Sequence, residues 1–318
     1  MRVLLTGATG FIGSGLLQRL LQDGLHLPVA AIRRPSADLH SDVPCIHVGE
    51  LSLNTDWSVA LTGADVVVHA AARAHVIKES SSDPLAEFRS VNLDGTLALA
   101  NQAALAGVKR FVFISSIGVN GNQSFRPFKV DDTPNPVEPY AISKLEAELG
   151  LRRLTAETGM EVVIIRPPLV YGPQAPGNFA RLINIVAKGI PLPFGAIHNQ
   201  RSLVSLDNLV DLIVTCIDHP AAANQTFLVS DGEDLSTTEL LRRMGAALGK
   251  PARLLPVPSW LLEAGAVMLG KKALYQRLCG SLQVDISKTR ELLGWEPPIS
   301  VDAALRKTAK HFLEHHAG

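Results

Sequence analysis

The sequence predicts an α/β protein built on a doubly wound parallel sheet, with a smaller C-terminal lobe. Three observations carry this. Apolar runs of strand length alternate with helical segments through the first half of the chain. A glycine-rich turn, Thr6-Gly7-Ala8-Thr9-Gly10-Phe11-Ile12-Gly13, directly follows the first apolar run. Far downstream, Tyr140-Ala141-Ile142-Ser143-Lys144 follows a Ser115-Ser116 pair in strand–helix order.

The elements read in sequence as follows. Residues 2–6 form a buried strand, and residues 11–23 form a helix whose inner face carries Leu16, Leu17, Leu20 and Leu21, with Gly24 as its stop. Strands follow at 29–32, 65–70, 110–115 and 161–166, each continuously apolar, as in parallel strands covered on both faces. Two long helices are expected at 84–106, opened by Ser82 or Asp83 ahead of Pro84, and at 139–158, closed by Gly159. After Arg166-Pro167-Pro168, proline and glycine become dense and the helices shorten. The expected division is a dinucleotide-binding domain over 1–167 and a mainly substrate-binding lobe over 168–318, with some later segments returning to the sheet.

Bulk properties narrow the class. The 318 residues are 47% hydrophobic and 19% charged, which suits a folded enzyme and not a disordered chain. Thirty basic residues balance thirty acidic ones, so no charge excess points to nucleic acid. Cys45, Cys216 and Cys279 have neither metal-ligand nor redox spacing, and His311, His315 and His316 read as last-turn residues complementing a helix dipole. No metal is expected. The apolar stretch 260–269 is about half a membrane span and contains Glu263, so it reads as a cover of the C-terminal lobe. Glycines interrupt the N-terminal apolar run, which argues against a signal peptide; the expected location is the cytoplasm.

The glycine turn makes a phosphate cradle. Gly7 allows the tight turn, Gly10 lets the backbone approach a pyrophosphate, and Gly13 permits close helix–sheet contact, so the fold expected is of Rossmann type. The helix beginning near Phe11 aims its amides and dipole at the phosphates, with Thr9 and Ile12 in the same turn. At the end of the second strand stand Arg33 and Arg34, with no carboxylate until Asp38. An arginine there accommodates a 2′-phosphate, so NADP(H) is the expected cofactor, with NAD possible.

Tyr140 and Lys144, four residues apart, share a helix face. The ammonium and a nicotinamide ring are expected to lower the phenol's pKa. Ser116, past the end of a central strand, is placed to hold a substrate oxygen.

These motifs, together with His69-Ala70-Ala71-Ala72, Asn92-Leu93-Asp94-Gly95-Thr96, Arg166-Pro167, Tyr171-Gly172-Pro173 and Leu293-Gly294-Trp295-Glu296-Pro297, resemble the extended short-chain dehydrogenase/reductase family, in particular its nucleotide-sugar epimerase and reductase branch. The resemblance runs nearly end to end. It implies that Ser116, Tyr140 and Lys144 are catalytic, that Asn92 supports the lysine, and that Ala70, Ala71, Ala72 and Pro167 line the cofactor. It further implies that Asn178 and Arg201 hold the substrate diphosphate, and that residues 189–195 cover the nucleotide. Asp207 fits as a helix cap. Asn120 departs from the pattern, which has tyrosine there, and this puts in doubt a close match to galactose-type epimerases.

The reading that follows is NADPH-dependent reduction of a nucleotide-linked 4-keto sugar, of UDP-4-keto-6-deoxy-hexosamine type, for surface polysaccharide. The enzymatic alternative is a UDP-sugar 4-epimerase retaining NAD; a further alternative is a non-catalytic dinucleotide sensor. A homodimer is expected through the two long helices, with Leu93, Leu97, Ala100 and Ala104 as an apolar stripe.

Overall fold

The computed structural model describes residues 1–35, 43–74 and 83–316, with the side chains of Asn178 and His316 left aside. Asp38, His75 and Ser82 lie outside the described residues.

The first half alternates as expected. It contains β1 (Arg2–Thr6), α1 (Phe11–Asp23), β2 (Leu27–Ile32), β3 (Cys45–His47), α2 (Ser58–Leu61) and β4 (Val66–His69). Then come α3 (Pro84–Arg89), a π-helical segment Ser90–Gly95, α4 (Thr96–Leu105), β5 (Arg110–Ile114), α5 (Pro139–Thr158) and β6 (Glu161–Arg166). The second half adds β7 (Leu169–Tyr171), α6 (Asn178–Ala187), β8 (Arg201–Ser205), α7 (Leu206–Asp218), β9 (Thr226–Leu228), β10 (Asp234–Leu235) and α8 (Thr237–Ala247). It ends with α9 (Ser259–Met268), α10 (Lys272–Cys279), α11 (Ser287–Leu293) and α12 (Val301–His316).

Seven parallel strands run in the order β3-β2-β1-β4-β5-β6-β9. The order reverses between β1 and β4, and the crevice at such a switch point is where open α/β sheets bind ligands. The sheet buries its two faces in separate apolar clusters. One holds Val3, Leu5, Leu16, Leu20, Val112 and Ile165, the other Leu4, Val67, Leu99, Phe111, Leu151 and Ile164. That alternation along each strand is why the runs read as continuously apolar. β9, from beyond residue 168, forms the seventh strand, and α7 packs beside α1. A second, three-stranded sheet, β10-β8-β7, belongs to the C-terminal half and carries its own apolar cluster around Phe179, Leu241 and Leu305.

Helix ends follow local chemistry. Gly24 and Gly159 close α1 and α5 in left-handed conformation, with φ of 63° and 75°. Asp83 caps α3, accepting from the Ala86 amide at 3.0 Å. Ser205, not Asp207, caps α7, accepting from the Asn208 amide at 3.2 Å, while Asp207 pairs with Lys307 at 2.7 Å.

Two expectations change. The helix at 84–106 is interrupted by the π segment, a feature common at functional sites. The proposed dimer stripe faces inward: Ala100 is fully buried, Leu93, Leu97 and Ala104 pack against the second core cluster, and a Cβ on Gly150 of α5 would meet Leu97 at 2.7 Å.

Candidate active site

The glycine turn sits at the switch point. Gly7 has φ +71°, and a Cβ there would lie 2.7 Å from the Ala71 amide nitrogen, so β1 and the chain leaving β4 meet with no room for a side chain. A Cβ on Gly13 would stand 2.0 Å from the Gly7 carbonyl oxygen, so only glycine lets α1 press onto the turn. The first turn of α1 has no acidic residue and no side-chain cap, leaving its amides and dipole to an anion. Thr9 and Gly10 are exposed, and Phe11, Ile12, Ala70, Ala71 and Ala72 are half-buried around the same crevice. An open cradle of backbone and small side chains fits a dinucleotide pyrophosphate.

His69 is the strut under this crevice. Its ring nitrogens hydrogen-bond Thr6 Oγ1 at 2.7 Å and Thr96 Oγ1 at 3.0 Å, tying β1, β4 and α4 together. Full burial, and secondarily the charge of Lys144, push its pKa down to about 3, so it is a neutral tether.

At the β2 end the expectation of an unopposed arginine pair fails. Glu50, beyond β3, reaches both guanidinium groups: Arg33 Nη1 lies 3.3 Å and Arg34 Nη2 3.5 Å from its carboxylate oxygens. β3 pairs in parallel with β2 and brings that carboxylate alongside. All three side chains are exposed, so the pairing is weak, but the local charge is not purely positive.

Ser116, Tyr140 and Lys144 gather where β5 ends. The Ser115 amide donates to the Ile165 carbonyl at 2.7 Å and the Ile117 amide to the Pro167 carbonyl at 3.0 Å, so the serine turn is stitched to the chain leaving β6. Ser116 Oγ accepts from the Gly118 amide at 3.1 Å. A Cβ on Gly118 would touch Ala141 at 3.2 Å, so this turn presses on the first turn of α5 beside Tyr140. Pro139 at the first helical position starts α5 there. The Tyr140 ring meets Phe88 edge-on at 6.0 Å.

Lys144 turns inward. Its Nζ donates to the Ile114 carbonyl at 2.9 Å and stands 4.3 Å from the Phe113 ring centroid, a cation–π contact. Burial pulls its pKa down to about 7, against a smaller opposing effect of Glu148. The expected lowering of the phenol draws on a nicotinamide ring as well as on Lys144. On the protein's own groups burial pushes Tyr140 up to about 12, because desolvation of the phenolate outweighs any attraction the chain supplies.

Asn92 lies on the π segment and is 1% exposed. Its amide accepts from the Arg73 N–H at 2.9 Å and donates to the Arg73 carbonyl at 3.1 Å and to Ser143 Oγ at 3.1 Å. Ser143 Oγ in turn donates to the Tyr140 carbonyl at 2.8 Å. The hydrogen-bond path from Asn92 therefore leads to the backbone of the tyrosine, through Ser143, a residue that sequence reasoning did not assign a role.

Beneath the site lies a buried polar cluster that sequence reasoning missed. Glu148, one turn after Lys144, accepts from Ser115 Oγ at 2.5 Å and from Arg166 at 2.9 and 2.5 Å. Arg166 also donates to Asn120 Oδ1 at 2.9 Å. The Lys144-x-x-x-Glu148 spacing and a lone arginine ending an apolar strand were the available signals. Asn120, where the family pattern has tyrosine, is buried and serves this arginine.

In the C-terminal lobe, Asn178 opens α6 behind Gly177. Arg201, at the start of β8, donates to the Gly280 carbonyl at 3.0 Å, and burial lowers its pKa. In the 189–195 loop, Gly195 packs on the Leu255 backbone, its amide donating to that carbonyl at 2.9 Å. A cavity of about 550 Å³ beside this loop is lined by His198, Gln200, Thr238, Glu239, Arg242 and others, and includes none of Ser116, Tyr140 and Lys144.

Comparison with known proteins gives this arrangement its class. Residues 3–230 match the NAD dependent epimerase/dehydratase family, and the chain belongs to that family of extended short-chain dehydrogenase/reductase enzymes. It is 50% identical over 315 residues to a Vibrio cholerae protein named UDP-glucose 4-epimerase, covering 98% of this chain and 95% of that one. It is 32% identical over 334 residues to a Mycolicibacterium smegmatis protein of the same name, covering 98% of each. The fold matches the UDP-glucuronic acid 4-epimerase of Bacillus cereus, solved with UDP-glucuronic acid and NAD. That match has a TM-score of 0.81 at 24% identity, over 99% of this chain and all of the other.

Proposed function

We propose that this protein is a UDP-sugar 4-epimerase that works with retained NAD. The observation that carries the reading is the 50% identity, along nearly the whole of both chains, to the Vibrio cholerae protein named for that activity. The preference expected from sequence, NADPH-dependent reduction of a 4-keto sugar, rested on Arg33 and Asn120. Arg33 and Arg34 face Glu50, and Asn120 has a structural partner in Arg166, so neither favours the reductase over the epimerase. NAD suits a β2 end where a carboxylate is at hand for a ribose hydroxyl.

When bound, the nicotinamide would take a hydride from the sugar C4 and return it. The chain's own part is proton handling and positioning. Tyr140 takes the proton of the C4 hydroxyl during oxidation and restores it on reduction. Ser116 holds that oxygen, and Lys144, fixed by the Ile114 carbonyl, is placed for the nicotinamide ribose and sets the charge beside the phenol. Gly7, Thr9, Gly10, Phe11, Ile12 and Gly13 cradle the pyrophosphate, with Ala70 to Ala72, Asn92 and Pro167 lining the same crevice. Asn178 and Arg201 hold the substrate diphosphate.

A homodimer through the outer faces of α4 and α5 is the assembly we propose, supported now by the exposed Leu105 and Leu149. Three unpaired thiols support a reducing, cytoplasmic location. The test is to supply UDP-glucose or UDP-N-acetylglucosamine without added cofactor, and in parallel a UDP-4-keto-6-deoxy sugar with NADPH. C4 inversion in the first without NADPH oxidation in the second is expected. The converse would establish the reductase.

A further inference from the structure

α9 reads Ser-Trp-Leu-Leu-Glu-Ala-Gly-Ala-Val-Met, and none of its residues is buried, so the expected cover of the C-terminal lobe leaves its apolar side chains largely in solvent. α10, packed against it, buries none either. A helix that is mostly apolar ordinarily sinks a face into a core. Here Trp260 is 65% exposed, Met268 87% and Leu269 71%, with Leu261 and Val267 also in solvent. At about 100° per residue, Trp260 and Val267 lie on one line of the helix and Leu261 and Met268 on another, an exposed apolar arc of roughly 100°. Elsewhere in the fold, tryptophan is handled differently: Trp57 and Trp295 are 2% and 5% exposed.

The charge beside this arc selects what covers it. Lys271 and Lys272 follow the apolar end at the turn between the helices. Both are exposed, and among the described residues neither has an ion-pair partner. An apolar knob with tryptophan at one end and adjoining lysines at the other fits the boundary between acyl chains and anionic headgroups. No helix among the described residues is long and apolar enough to cross a membrane, so the contact is with the surface. We propose that the α9–α10 hairpin docks this protein onto an anionic membrane surface, with Trp260, Leu261, Val267 and Met268 entering the boundary and Lys271 and Lys272 meeting the headgroups. This goes beyond the proposed reaction and does not depend on it.

The experiment mixes the full chain with phosphatidylcholine vesicles and with vesicles containing phosphatidylglycerol. Sedimentation and tryptophan emission are followed. Because Trp57 and Trp295 are buried, a blue shift on mixing reports Trp260. Binding to the anionic vesicles with a blue shift is expected. Replacing both lysines (K271E, K272E) should weaken it at least about 30-fold, from roughly 1 kcal/mol per lysine near the surface. The second variant, W260Q with M268Q, lacks the reporter and is read by sedimentation: it should no longer pellet with the anionic vesicles, while its circular dichroism stays that of the parent, which keeps folding in view. Absence of binding to anionic vesicles, equal binding to neutral ones, or a self-association lost in the W260Q/M268Q variant would each overturn the proposal, the last in favour of a second copy of the chain.

Discussion

Arg166 grips Glu148 through two hydrogen bonds, of 2.9 and 2.5 Å, where the two side chains are only 4% and 1% exposed. The pair joins the end of β6 to the middle of α5, and through Ser115 and Asn120 it also fixes the turn that carries Ser116. A buried pair of this kind does little for net stability but makes each member dependent on the other. Glu148→Ala should therefore destabilise the protein by about 3–5 kcal/mol, because a guanidinium is left uncompensated in the core. The double change Glu148→Leu with Arg166→Met should recover much of that loss. Urea unfolding midpoints measure both, and a double variant no better than the single one would refute the coupling.

Glu50 is the second point of leverage. It draws Arg33 and Arg34 together at the edge where an adenosine ribose would lie. Glu50→Gln frees both arginines and removes a negative charge, so it should raise affinity for NADPH relative to NADH, by about tenfold. Parallel fluorescence titrations with the two reduced cofactors read this directly. An unchanged ratio would mean that the arginines do not face the ribose.

The strands and helices that position the site were legible because their signals are local. A five-residue apolar run, a glycine spacing and a Tyr-x-x-x-Lys pair each declare themselves within a helical turn or two. The π segment was not legible, since the weak helix formers of Ser90–Gly95 do not by themselves tell a π turn from an α turn, and the distortion serves Asn92's bonds to Arg73 and Ser143. β3 was missed because Cys45-Ile46-His47 is a short edge strand with no apolar run. With β3 went Glu50, whose charge lies 17 residues from Arg33 in sequence and 3.3 Å in space. Glu148 was overlooked for a related reason: on a helix surface a glutamate reads as solvated, and only Arg166 and Ser115, from two different strands' ends, show that it is buried.

Lys144 should make stability depend on pH. Its folded pKa is about 7 against 10.5 for the free side chain, because burial disfavours the ammonium. Between those values the unfolded chain holds a proton that the native protein has released, so native stability rises with pH across that window. Below about pH 7 both states are protonated and the burial cost is borne in full. Lys144→Met removes the titration. Its stability relative to the parent should be greatest near pH 6 and fall as pH approaches 10, by an amount on the order of a few kcal/mol. Urea midpoints at several pH values provide the check; a pH-independent difference would mean the lysine is solvated in the native protein.

Tyr140 carries the last prediction, which follows from a hydroxyl whose pKa burial raises to about 12. Tyr140→Phe removes the transferable proton but keeps the ring that meets Phe88 edge-on, so packing and nucleotide binding should be nearly unchanged. Turnover should fall by about 10²–10⁴-fold, the usual contribution of a general acid–base group. The pH profile adds a second readout. An epimerase must first use this oxygen as a base, so the oxidative half of the reaction should speed up as pH rises towards the phenol's pKa. A reductase uses it only as an acid and would show no such rise. Single-turnover measurements on the UDP-sugar from pH 6 to 10 separate these cases, with the phenylalanine variant as the control whose residual rate should be flat. Near-parental turnover in that variant would remove Tyr140 from the proton's path.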